Sequence, residues 1–382
     1  MLVKAVPTSE QHRATPLELF FDVVFVFAFI QVTHLVAAEA NLLGVLHGLA
    51  VFGVLWWAWA SYAWLANQLH VGQGIGRLGI LAATVLMVVV TIAIPEAFHG
   101  RTGPLVFATG FIAVTLVYTV VTFVAAGSDI RLRRQVLRTM GATILPVSAA
   151  LVAGAMLGGI AQLVLWLGAV VIEGVTVRVT SRGGAWRLPS ASHFAERHQL
   201  VVILALGESI ISIGSAASTH HLTAGVLSMA VLAVALSVTM WWAYFSRLAP
   251  AAEQAVAGRA GESRATLATA GTYLHAGIVG GILLVAVGLA TALHGALGPI
   301  GTATAMHGAL GTVGMATAMH GALGVFGAAT LGGGLALYLV MTALYERAMT
   351  GRAAPARWIA AVLATLLIPA LAALPVIPAP HS

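Results

Sequence analysis

Eleven windows of about twenty residues in this chain carry almost no formal charge, and that pattern leaves few choices of fold. A helix rises about 1.5 Å per residue, so some twenty apolar residues cross a hydrocarbon core about 30 Å thick. The windows are 17–37, 43–66, 78–95, 104–126, 139–157, 160–178, 200–217, 223–246, 267–292, 325–346 and 356–377. Only 8% of the 382 residues are charged and 60% are hydrophobic, whereas a soluble domain carries about 25% charged residues. The expected fold is all-α, a polytopic transmembrane helical bundle of about eleven spans, with the lipid bilayer as its first partner.

The basic residues test this count. With the N-terminus placed in the cytoplasm, seventeen of the eighteen Lys and Arg fall on cytoplasmic segments, and only Arg101 on an outer one. The inner leaflet and the membrane potential favour that distribution. A wrong number of spans would scramble the alternation from the error onward. The net charge of +6 is therefore a topology signal, and no nucleic-acid partner is expected. The first span contains Glu18 and Asp22 and lacks a clear small-residue cleavage site, so it is expected to stay as a helix.

Several chemistries are excluded by residue type. There is no cysteine, so no disulfide or thiolate forms. Lys4 is the only lysine, which rules out a phosphate-binding Gly-Lys-Ser/Thr loop and a Schiff base outside the N-terminal tail. Asp22 and Asp129 are the only aspartates, and no His-Glu-x-x-His occurs. No catalytic residue, metal ligand or cofactor is expected.

Two segments carry a family resemblance. Residues 16–36 contain Glu18-Leu19-Phe20-Phe21-Asp22, and residues 193–209 contain Glu196-Arg197 and Leu206-Gly207-Glu208-Ser209. Tyr273 and His275 form a third element, Tyr-x-His. Together these resemble the bacterial low-temperature-requirement A (LtrA) family of multi-pass membrane proteins, over nearly everything from Thr15 to about Pro369. The resemblance implies a multi-pass protein of the bacterial inner membrane and leaves the chemistry open.

The chain also resembles itself. A shift of 178 residues places Glu18 on Glu196, Val23-Val24 on Val201-Val202 and Gln31 on Ser209. Each segment is followed by a Trp-Trp-Ala-aromatic run, at 56–59 and 241–244. This suggests two parallel pseudo-repeats, the arrangement in which transporters often place a site at the repeat interface. The expected organisation is a tail at 1–16, a first repeat at 17–178, a cytoplasmic connector at 179–199, a second repeat at 200–377 and a tail at 378–382. A second repeat is local: His-Gly-Ala-Leu-Gly begins at His294, His307 and His320. Thirteen residues advance a helix by about 1300°, so these histidines would not share a face. The glycine-rich block 294–332 is expected to be an outer loop. The aromatic clusters at 56–64 and 241–244 are expected to be belts at the headgroups.

Several ionisable side chains fall at membrane depth. Asp22 lies about 8 Å above the cytoplasmic end of span 1, Glu208 about 13 Å into span 7, Glu173 about 8 Å from the inner end of span 6 and His275 about 12 Å into span 9. A lone carboxylate near the bilayer centre costs about 2.5–3.5 kcal/mol on insertion scales, so Glu208 must be protonated, paired or hydrated. Gly207, Ser209 and Ser212 leave room beside it, and His275 is a candidate partner. Glu18 and Asp22 are i,i+4 on one face and would repel each other alone. Arg197 or Arg178 nearby would make them a gate or a structural ion-pair network. Glu196 sits at the same boundary, Tyr273 sits beside His275, and His34 and His47 are expected to be hydrogen-bonded without a ligand.

These residues suggest a secondary transporter or channel-like protein for an unidentified small solute or ion. Glu208 and His275 would form its proton or cation site, with Asp22 and Glu173 along the cytoplasmic approach. The alternatives are a membrane-embedded enzyme acting on a lipid and a structural protein of stress or cold adaptation.

Overall fold

Thr15 starts the first helix with a reciprocal cap. Its hydroxyl receives the Glu18 N–H, and the Glu18 carboxylate receives the Thr15 N–H, with Pro16 at the first helical position. Asn41, Asp129 and Thr223 cap later helices in the same way, each side chain accepting from a backbone N–H two or three residues on. The computed structural model describes residues 13–181, 188–218, 223–297 and 324–373. These form α1 (Pro16–Glu39), α2 (Leu42–Gln68), α3 (Gly74–Ile92), α4 (Thr102–Ala125), α5 (Ile130–Leu157), α6 (Gly159–Thr180), α7 (Ala191–Ser218), α8 (Ala224–Phe245), α9 (Leu248–Ala257), α10 (Gly261–Leu297), α11 (Gly324–Thr350), α12 (Pro355–Leu366) and α13 (Ile368–Ala372).

Among the described residues there is no strand, and eleven helical segments are long and apolar enough to cross a membrane. The α8–α9 pair and the α12–α13 pair each count as one such segment. All eleven expected windows are therefore helices, but several run further than their apolar cores. α5 begins at Ile130 because Asp129 caps it and the arginine-rich turn that follows favours a helix. α7 begins at Ala191, inside the expected connector. α10 continues to Leu297 and α11 starts at Gly324, so both ends of the 294–332 block are helical. The rest of that block, with His307 and His320, lies outside the described residues, as do both expected tails apart from residues 13–16.

The chain divides into two compact units. The first comprises residues 1–204, 248–276 and 345–352. In it α1 packs on α2 and α3, α2 on α4 and α6, α3 on α4, and α5 on both α4 and α6. A run of aromatic rings fills the α1–α2 seam: Phe21 meets Tyr62 at 5.1 Å, Phe29 meets Phe52 at 6.2 Å, and Trp56 meets Trp59 at 5.0 Å between centroids. The α2 aromatics are thus interior packing rather than a headgroup belt, because α2 is surrounded by α1, α4 and α6. Trp241 and Trp242, 42% and 65% exposed, keep the surface position expected of belt residues.

The second unit comprises residues 205–247, 277–344 and 353–382. Its packing depends on small residues. A Cβ at Gly281 would lie 2.7 Å from the Tyr338 backbone nitrogen, and one at Gly288 would lie 2.6 Å from that of Leu331. α10 and α11 therefore cross almost backbone to backbone, the close approach that lipid-embedded helices use in place of a hydrophobic driving force. Two polar ties add to it. The Tyr338 hydroxyl donates to the Met240 carbonyl at 2.6 Å, and Arg357 donates to the carbonyls of Thr342 and Ala243, each at 3.1 Å.

Candidate functional site

In the first unit, α1 and α7 meet at their N-terminal turns. Glu18 faces His193 and Asp22 faces Arg197, both pairs 175 residues apart, so the two helices run parallel here. Arg197 grips Asp22 with two bonds, Nη1 to Oδ2 at 2.6 Å and Nη2 to Oδ1 at 2.8 Å. The Trp59 indole N–H donates to Oδ1 at 3.1 Å, and Arg197 Nε lies 3.6 Å from the Glu18 Oε2. All of these side chains are buried. Fork-to-fork pairing of guanidinium and carboxylate is the geometry that best offsets the cost of removing both charges from water.

His193 is held from both sides. Asn67 accepts the Ser190 N–H at 3.3 Å and donates to the Ser190 carbonyl at 2.6 Å. Those two backbone groups fix which end of the amide is nitrogen. That nitrogen also lies 3.3 Å from His193 Nδ1, which must therefore accept. His193 Nε2–H is left to donate to the Glu18 Oε2 at 2.7 Å. The Ser190 hydroxyl in turn receives the His193 N–H at 3.1 Å and caps α7.

A second chain of contacts leads from this network. The Trp59 ring meets His198 edge-on at 5.1 Å. His198 Nδ1–H donates to the Phe194 carbonyl at 2.9 Å, which leaves Nε2 to accept from the Thr272 hydroxyl at 3.1 Å. Trp64 donates its indole N–H to the same hydroxyl oxygen at 3.1 Å. On its other side His198 meets the His275 ring at 4.8 Å, and His275 meets Tyr345 at 4.6 Å.

Thr272 also borders a cavity of about 70 Å³ inside the first unit. Trp57, Trp64, Tyr118 and Tyr273 contribute to its walls, and Glu173 lies on it. The Tyr273 hydroxyl donates to the Gly174 carbonyl at 2.5 Å, and its ring meets Trp57 edge-on at 5.2 Å. Gly174 permits this: a Cβ there would lie 3.1 Å from the Trp57 ring. Glu173 is buried and has no hydrogen-bond or ion-pair partner among the described residues.

The expected site residues therefore separate. Glu18, Asp22 and Arg197 come together, while Arg178, the other guanidinium considered, is exposed at the end of α6. Glu173 and Tyr273 come together at the cavity. Glu196 accepts the Ala14 N–H at 2.9 Å and holds the segment leading into α1. His275 belongs to the first unit; Glu208 and Ser209 belong to the second. Glu208 is fully buried and accepts the Ser212 hydroxyl at 2.6 Å, and the Ser209 hydroxyl donates to the Ala205 carbonyl at 3.2 Å. His47 pairs with Glu39 at 2.7 Å and stacks on Phe98 at 3.7 Å, the hydrogen-bonded role expected of it. His34 is exposed.

His193, Asn67, Trp59 and Thr272 were not singled out from the sequence. One signal was there for His193: His193 and Arg197 have the same i,i+4 spacing as Glu18 and Asp22, so two facing helices carry matched donor and acceptor pairs. Among the described residues no group of three or more His, Asp or Glu could hold a metal ion.

The sequence profile of one protein family, described as bacterial low temperature requirement A protein (LtrA), matches residues 13–382. An uncharacterised protein of Rhizobium meliloti (strain 1021) is 31% identical over 290 residues, covering 73% of this chain and 69% of that relative. No solved structure matches the chain.

Proposed function

The chain belongs to the bacterial low-temperature-requirement A family of multi-pass membrane proteins, and from that premise we propose that it is a secondary transporter or channel-like protein of the bacterial inner membrane. The cavity carries this reading. A purely structural bundle gains nothing from a cavity of about 70 Å³ beside a buried carboxylate with no partner among the described residues. Glu208, a buried ionisable group within a span of the second unit, serves as a proton or cation site, and His275 is a second such buried group in the first unit. Glu173 lines the cytoplasmic approach. Asp22, held by Arg197 and Trp59, anchors α1 to α7 rather than lining a path.

The N-terminus lies in the cytoplasm in this reading, as the basic residues demand. The parallel course of α1 and α7 supports a parallel duplication, since both helices would then leave the same face of the membrane. A packing role is favoured only for the Glu18–Asp22–His193–Arg197 cluster, where every acid already has protein donors.

The test is proton flux into liposomes carrying the purified protein, with an entrapped pH dye and imposed Na⁺, K⁺ and pH gradients. Wild-type flux that disappears in Glu208→Gln, with insertion intact, is the expected result. Unchanged flux in a folded Glu208→Gln protein removes Glu208 from the pathway. Absence of flux in the wild type under every gradient overturns the transport reading.

A further inference from the structure

We propose that the Glu173 cavity is a binding site for a small organic monocation, an ammonium ion carrying methyl groups. This deepens the transport reading and rests on it for the claim that the bound cation is cargo; binding itself stands on the geometry alone. Among the described residues the cavity has one charged group on its wall, Glu173, and no Lys, Arg or His lines it. The one charge this wall can carry is therefore negative, so it offers nothing to an anion and a counter-charge to a cation.

The rest of the wall decides which cations. A divalent ion such as Mg²⁺ or Ca²⁺ is held by carboxylates and carbonyls, and beyond Glu173 this wall offers the neutral hydroxyls of Ser61, Thr139, Ser181, Thr269 and Thr272 among its Trp and Tyr rings. Aromatic faces attract a weakly hydrated cation through the ring quadrupole and accept its hydrocarbon parts at the same time. The rings are also held in place before any ligand arrives. Trp64 is tied through its N–H to Thr272, and Tyr273 through its hydroxyl to Gly174. Fixed walls lower the ordering cost of binding. The cavity volume of about 70 Å³ limits the occupant to a small ion. A carboxylate more than nine-tenths buried, facing this space with no partner among the described residues, is satisfied when the cation enters.

The experiment is calorimetric titration of the full-length protein in dodecyl maltoside with methylammonium and tetramethylammonium, and separately with methanesulfonate. Saturable binding of either cation and none of the anion is expected. Glu173→Gln should weaken the cation by at least about tenfold, and Glu173→Asp, which keeps the charge, should retain most of the affinity. Absence of saturable cation binding in the wild type overturns the inference. So does equal binding of methanesulfonate, or equal affinity in Glu173→Gln. The comparison of cation with anion on wild-type protein decides the matter even if a variant does not fold. Cation binding without proton flux in liposomes would leave this site standing and remove the transport reading; flux without binding would do the reverse.

Discussion

Asp22 and Glu173 are both acids in membrane-crossing helices of the same unit, and they are accommodated in opposite ways. Asp22 is enclosed by its own protein: two bonds from Arg197, one from the Trp59 indole, and Glu18 and His193 one turn away. Glu173 faces open space walled by rings. The first arrangement gives both carboxylate oxygens protein donors, from α2 and α7, and ties those helices to α1. The second leaves the carboxylate to be satisfied from outside. A buried acid is thus not one kind of feature, and the presence of donors on neighbouring helices separates the two kinds.

The comparison breaks most visibly at Arg197. Replacing it with Met leaves Asp22 and Glu18 buried without their cation, and the expected loss is about 3–5 kcal/mol, measured by equilibrium unfolding in mixed detergent micelles. A loss under about 1 kcal/mol would mean that the pair is hydrated and not locked. Asp22→Asn keeps the shape and removes one charge, so a smaller loss of about 1.5–3 kcal/mol is expected in the same assay. Asn67→Ala sharpens the picture from the side of His193. It strips the Ser190 backbone and the imidazole of their partner, for about 1–3 kcal/mol. The smallest effect is expected at Thr15→Ala, which removes half of the reciprocal cap with Glu18 and costs about 1 kcal/mol. An effect at Thr15 as large as that at Arg197 would place the weight of the junction on the cap.

The spans were legible because lipid imposes one length and one composition on every crossing helix. Helix ends were less so. The arginine-rich start of α5 and the polar first turns of α7 are helical for local reasons of capping and propensity that an apolar window does not register. The acids at the α1–α7 junction were legible as a problem, since two carboxylates four residues apart need a cation. Their solution was legible only in part. Arg197 could be named as a candidate partner, but Trp59, His193 and Asn67 act through N–H groups whose direction depends on which helices meet. The aromatic run in α2 looked like a belt because sequence reports ring content and not which helix is surrounded by others. Glu173 could be placed at depth, yet nothing in its neighbours along the chain foretold that Trp57, Tyr118 and Tyr273, from three other helices, would leave a space beside it.

The division between a locked and an open carboxylate is tested most directly by unfolding Glu173→Gln beside Asp22→Asn in the same detergent system. The account predicts that Glu173→Gln is as stable as wild type, because the amide keeps the shape and no protein donor is lost, while Asp22→Asn is clearly destabilised. A Glu173→Gln protein destabilised as much as Asp22→Asn would show that Glu173 is a packed structural acid, and would contradict the assignment of its cavity to a ligand.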